Sequence, residues 1–121
     1  MKTVLIVVTH GPDTPEMCGA PFLYAQDAVA QGCAVEMFFT TKGTRLMNKN
    51  ISSTVFPKAG GKCIQEYIME AAAKGVRLLV CQPSLQLNAM TEDDLVDQVD
   101  TLVGTAYLIT QGLVSDLVLS F

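Results

Sequence analysis

Gly75-Val76-Arg77-Leu78-Leu79-Val80-Cys81-Gln82-Pro83-Ser84 is an apolar run that stops abruptly on a cysteine. Val76 to Val80 is largely aliphatic, follows a glycine able to end a helix and runs toward a proline that removes a ladder donor. It therefore predicts a short buried strand with Cys81 as its last residue. In sheets built from β-α-β units, ligands and chemistry gather outside the carboxyl ends of the strands. A side chain there is held by the core and faces a cleft. Cys81 is the most reactive group the chain offers at such a place, although free cysteines are commonly small buried hydrophobes.

The segment feeding this strand, Lys62 to Lys74, brings back Ile64, Tyr67, Ile68 and Ala71 or Ala72 at helical spacing and ends at Gly75. The same alternation repeats toward the amino terminus. Thr3 to Thr9 is almost wholly aliphatic, as in a strand buried on both faces of a parallel sheet. The turn residues His10 to Pro15 break it, and a helix from about Cys18 to Gln31 follows, with Gly32 placed to cap its carboxyl end. Cys33 to Thr40 is a second strand. Thr40 to Met47 accommodates a short helix, and Asn48 to Gly61, rich in Asn, Ser, Gly and Pro, is the longest loop. Gly60-Gly61-Lys62 lacks the full phosphate-loop pattern and is a turn before a helix.

Beyond Cys81, Thr91-Glu92-Asp93-Asp94 is a helix start, with Thr91 capping and Asp94 at the capping-box position. Leu95 to Val103 fits either one helix or a short helix followed by a brief strand near Asp100 to Val103. Gly104 to Gly112 predicts a further helix, and Asp116 to Phe121 a closing strand. Alternating strands and helices with short joins, and no repeat or linker, predict a single domain over residues 1–121. Its class is α/β, doubly wound around a mostly parallel sheet of about five strands.

Composition narrows the function classes. Charged residues are 17% and apolar ones 50%, with a mean hydropathy of +0.35, so surplus apolar surface is expected to be covered at a subunit interface. The longest uncharged stretch, Thr101 to Ser115, is shorter than the ~18 residues of a membrane span and carries glycines and polar residues. The opening apolar run is too short for a signal peptide, so a cytoplasmic protein is expected. Eight basic against 12 acidic residues, with no basic cluster and no Trp, argue against nucleic acid as a partner. Cys18, Cys33, Cys63 and Cys81 are widely spaced, without a C-x-x-C pair that would signal zinc or dithiol redox chemistry.

The order and spacing of these segments resemble the DsrE/DsrF/DsrH-like family, including the TusD-type subunits of sulfur relay systems. The resemblance rests on the aliphatic opening strand, the helix into Gly32, Val35 to Thr40 with Gly43, Gly75 to Cys81, and Asp116 to Phe121. It implies a three-layer α/β/α fold, trimers or hexamers, or hetero-oligomers with related subunits. It also implies a persulfide-carrying cysteine at the position matched by Cys81, with sulfur donor and acceptor proteins as partners and no metal or organic cofactor.

Sulfur carriage is thiol exchange, which favours a cysteine of lowered pKa, accessible to partners and without a competing neighbour thiol. A helix beginning near Ser84 or Leu85 would offer free N–H groups to the anion, and Ser84 would either cap that turn or donate to the sulfur. Gln82 lies beside the thiol in sequence. Thr40, Thr41 and Gly43, after the second strand, are expected to line the cleft or cap a helix. His10, the only histidine, stands on the same sheet edge, either paired with Cys81 or free in a loop. Cys18, near a helix start where thiolates are favoured, is the second candidate thiol; Cys33 and Cys63 are packing residues. Two alternatives to the carrier stand beside it: a nucleotide- or flavin-like binding module in the cleft between His10, Thr40 and Cys81, and a non-catalytic assembly subunit.

Overall fold

In the computed structural model, which describes residues 1–121, strands and helices alternate along the chain. The strands are β1 (Thr3–Val8), β2 (Ala34–Phe39), β3 (Arg77–Cys81), β4 (Thr101–Val103) and β5 (Leu117–Ser120). The helices are α1 (Ala20–Ala30), α2 (Ile64–Ala73), α3 (Gln82–Leu87) and α4 (Thr105–Val114). The strand order is β4-β3-β2-β1-β5, and every neighbouring pair is parallel. None of the helices is long and apolar enough to cross a membrane.

From β1 to β4 the chain steps one way across the sheet, so right-handed crossovers put α1, α2 and α3 on one face. The last crossover returns over the sheet to β5 and lays α4 on the other face. The two faces are unequal. Beneath α1 to α3 lies a cluster of 21 buried residues, among them Ile6, Phe22, Met37, Phe39, Ile68 and Leu78; beneath α4 the buried cluster is Leu5, Phe38, Leu79 and Cys81 alone. At about 1.5–3 kcal/mol for each large apolar side chain fully buried, the first face supplies most of the hydrophobic stabilisation.

Three helices end alike. After α1 and α2, Gly32 (φ 86) and Gly75 (φ 87) take the left-handed conformation, and the next amide reaches back, Cys33 to the Ala28 carbonyl (3.0 Å) and Val76 to that of Ala71 (3.1 Å). After α3 the same bond runs from Met90 to Leu85 (2.8 Å), but the left-handed residue is Ala89 (φ 53).

Several boundaries differ from the sequence expectation. The first helix starts at Ala20 rather than Cys18, preceded by a 3-10 turn at Pro15–Met17. The segment from Thr40 to Met47 is a 3-10 helix over Thr41–Met47. The start at Thr91 makes its capping box, Thr91 N–H donating to Asp94 Oδ2 at 2.8 Å, yet yields only one 3-10 turn, Glu92–Asp94. Long-range bonds stop it: Asn48 bridges to Leu95, and the Val96 amide donates to the Met47 carbonyl at 2.8 Å. The ambiguous stretch after it therefore ends in a strand, β4, and α4 runs through Gly112 to Val114.

At the carboxyl edge, the loops after β1 and β2 interlock through two glycines. A Cβ on Gly43 would run into the Val8 carbonyl, and one on Gly11 into the Lys42 carbonyl; both obstacles are backbone. Gly43→Ala is expected to cost about 2–3 kcal/mol and lower Tm by roughly 10 °C in a thermal melt; an unchanged Tm would mean the loops do not interlock. Conversely, Ala89→Gly should stabilise by about 0.5–1 kcal/mol in denaturant titration, because Ala89 sits where glycine is unstrained.

Candidate functional site

Strand parity decides where Cys81 points. Along β3, Leu78 and Val80 enter the large cluster, whereas Leu79 and Cys81 face α4. Cys81 is 3% exposed, clustered with Leu5, Phe38 and Leu79, against which Val7, Val103, Tyr107 and Leu108 pack. All four cysteines are free. Cys18 belongs to the large cluster, Cys33 packs against that cluster, and Cys63 caps the amino end of α2, so Cys81 is the one thiol on the α4 face.

The chain turns into α3 directly after Cys81, earlier than the expected start near Ser84 or Leu85. Pro83 is tolerated in the first turn because its missing N–H has no partner there. Cys81 is the amino-terminal cap residue of α3, but its side chain makes no capping bond. Gln82 is exposed beside it.

Ser84 neither caps the turn nor reaches the sulfur, because it faces the loop after β2 while Cys81 faces α4. Its Oγ accepts the Thr41 N–H at 2.9 Å and lies 3.2 Å from the Thr40 hydroxyl. Asn88 completes a clamp: its Nδ2 donates to the carbonyls of Thr41 and Ser84, both at 2.7 Å, and its Oδ1 accepts from Arg45 Nε at 2.8 Å. The clamp holds Thr41 at φ 51, a conformation that costs a β-branched residue on the order of 1–2 kcal/mol. Thr40, Thr41 and Ser84 are thus brought together, and Gly43 sits behind them against β1. Nothing in the sequence around Asn88 marks it as a clamp, since its partners Thr41 and Arg45 lie more than forty positions away.

His10 is not brought to Cys81. Strand β2 lies between β1 and β3, a separation of about 10 Å from two strand spacings. Its Nδ1 is instead 3.1 Å from the Thr14 hydroxyl. Cys18 is also not the activated thiol its position suggested. It lies before the α1 cap residue Gly19, and its Sγ donates to the carbonyls of Gly11 (3.3 Å) and Thr14 (3.4 Å). Burial first, then the Glu16 and Asp13 carboxylates, push its pKa up to about 11, so it stays a protonated thiol at neutral pH.

No cavity opens between His10, Thr40 and Cys81, where a cleft was expected. The cavities of the molecule open elsewhere, and none is lined by Cys81, His10, Thr40, Thr41, Gly43, Gln82 or Ser84. The largest, about 350 Å³, lies toward the amino ends of the strands beside Cys33, Glu36 and Arg77. Next to it a polar group joins α4 to the sheet. Tyr107 donates its hydroxyl to Glu36 Oε2 at 2.7 Å, Arg77 pairs with the same oxygen at 2.7 Å, and Gln111 Nε2 donates to the Tyr107 oxygen at 3.0 Å.

Solved structures share this architecture. YchN from E. coli superposes with a TM-score of 0.82 at 19% identity, and MTH1491 from Methanobacterium thermoautotrophicum, a protein of unknown function, with 0.78 at 14%; each match covers 100% of both chains. BT1422 from Bacteroides thetaiotaomicron, likewise of unknown function, gives 0.67 at 13% identity over 99% of this chain and 95% of its own. At such identities the likeness is one of fold. No curated protein matches in sequence. The sequence pattern of one family does match, over residues 2–121, and the chain belongs to that family, DsrE/DsrF-like.

Proposed function

We propose that this protein is a sulfur-relay carrier, which accepts sulfane sulfur as a persulfide on Cys81 and passes it to a partner protein. Membership of the DsrE/DsrF-like family implies a role of the sulfur-relay type. The observation that carries the role to Cys81 is its place: the last residue of β3, and the one thiol on the thinly covered face. Cys81 has no cysteine partner, which suits single-thiol carriage rather than dithiol redox.

The exchange needs no oxidant. The Cys81 thiolate attacks the outer sulfur of a donor persulfide; the donor S–S bond breaks, its thiolate leaves with the electron pair and takes up a proton, and Cys81–S–SH forms. The acceptor thiolate then attacks that outer sulfur, and the Cys81 thiolate leaves. Sulfur donor and acceptor proteins are the partners, no cofactor enters either step, and the free thiols suit the reducing cytoplasm.

The outer face of α4 supports self-association, as a trimer or hexamer or with related subunits. Ile109 (64%), Leu113 (81%), Val114 (69%) and, on β5, Val118 (47%) are exposed, and neither element carries a charge. This face also favours a second reading, a non-catalytic assembly subunit in which Cys81 is only a packing residue.

Intact-protein mass spectrometry after incubation with a sulfane-sulfur donor separates the two. The carrier gains the mass of one sulfur atom, reversed by reductant and absent in Cys81→Ala; equal uptake by both proteins removes Cys81 from the role, and no uptake by either favours the assembly subunit. Light scattering tests the interface: Leu113→Asp should reduce the parent oligomer to monomers, and an unchanged assembly would move the contact off α4.

A further inference from the structure

The sheet has two open edges, β5 and β4, and their chemistry differs. The exposed surface of β5 and α4 is apolar and uncharged, whereas the approach to β4 is acidic. We propose that the β4 edge docks an extended segment of a partner protein that carries Lys or Arg, adds to the sheet as a strand and seats apolar side chains in the groove beside it. Such docking does not depend on sulfur carriage by Cys81.

Three features meet at this edge. Strand β4 pairs with β3 on one side only. The Asp100 amide donates inward, to the Leu78 carbonyl at 2.8 Å, and because backbone groups alternate along a strand, those of Thr101 and Val103 face outward, open to a further strand. A groove of about 320 Å³ lies beside them, with Leu95, Val96, Val99 and Leu102 in its wall. Glu92 lines the same groove, and Asp93 and Asp97 are exposed on the segment that forms it. Asp94 and Asp100 are engaged with the amides of Thr91 (2.8 Å) and Leu78 (2.7 Å), which leaves Glu92, Asp93 and Asp97 as the free carboxylates. No basic residue follows Arg77 in the sequence. Lys49 is brought alongside by the bond from its amide to the Asp94 carbonyl, yet the ion pairs of the molecule all lie elsewhere.

This charge selects the occupant. A second copy seated across a two-fold axis would set the same rim against itself, acid on acid. Nucleic acid and anionic lipid would meet the same repulsion. The carboxylates do not converge as metal ligands. A cationic segment turns the repulsion into attraction, while β4 supplies main-chain partners and the groove takes apolar side chains, which is recognition by strand addition. The added strand would lie about 10 Å from β3, the strand that Cys81 ends.

The probe is an octapeptide of alternating Lys and Val, titrated into isotope-labelled protein and followed through the amide resonances, with an octapeptide of alternating Glu and Val as the charge control. The Lys peptide should shift Thr101, Val103 and the amides from Leu95 to Val99, and the Glu peptide should shift none of them. Neutralising the rim with Glu92→Gln, Asp93→Asn and Asp97→Asn together should weaken binding about tenfold, with the thermal melt unchanged because these side chains hold nothing in the fold. A Lys peptide N-methylated on alternate amides keeps its charge but cannot pair with the edge, and should also bind about tenfold more weakly. Absence of binding by the Lys peptide would mean an edge that its charges merely guard, and would overturn the docking surface. Shifts scattered over other acidic residues, with affinity unchanged in the neutralised protein, would reduce the effect to general attraction. Equal affinity for the methylated peptide would overturn strand addition.

Discussion

One constraint orders the rest of this molecule: the chain crosses a parallel sheet in one direction for three crossovers and returns in a single one. Right-handed connection then leaves no freedom about the layers. Three helices share one face, and the single returning helix must serve the other. Because side chains alternate along a strand, β3 sends Leu78 and Val80 to the thick side and Cys81 to the thin one. The thiol thus lies on the face that a single helix serves, for reasons of topology and parity.

The burial of large side chains divides along the same line. The thick face holds the large aromatic and aliphatic side chains, including Phe22 between Phe39 and Tyr67 at ring-centroid distances of 6.0 and 5.7 Å. At the carboxyl edge, the Gly11 and Gly43 contacts and the Ser84–Asn88 clamp fix the loops around the end of β3 without touching the sulfur. Strain at Thr41 persists because this clamp over-determines it. On the thin face, α4 turns exposed apolar side chains outward and packs Tyr107 and Leu108 against the cluster that holds Cys81.

Much of this was legible in the residues. The aliphatic runs located four of the five strands and left β4 open between helix and strand, and Gly32 and Gly75 marked helix ends because a left-handed cap needs them. The stop at Cys81 placed the thiol at a strand's carboxyl end. What escaped depends on partners distant in sequence. The Thr91 capping box promises a helix, but the Met47 carbonyl takes the Val96 amide and ends it after one turn. Ser84 reads as a cap until Thr41, forty-three positions earlier, supplies the donor. Cys18 reads as a helix-start thiolate, whereas burial and two carboxylates keep its proton on. Strand order decided the fate of His10: one interposed strand rules out a Cys–His pair, and nothing local to His10 encodes that strand.

The proposed carrier role stands or falls on whether Cys81 delivers the sulfur it receives. The most direct measurement loads the protein with isotopically labelled sulfane sulfur, adds an acceptor thiol with excess unlabelled donor, and follows the label on the Cys81 peptide and the acceptor through time. Label leaving Cys81 as it appears on the acceptor is the predicted result. Label that stays on Cys81, or reaches the acceptor without passing through it, would contradict the carrier mechanism.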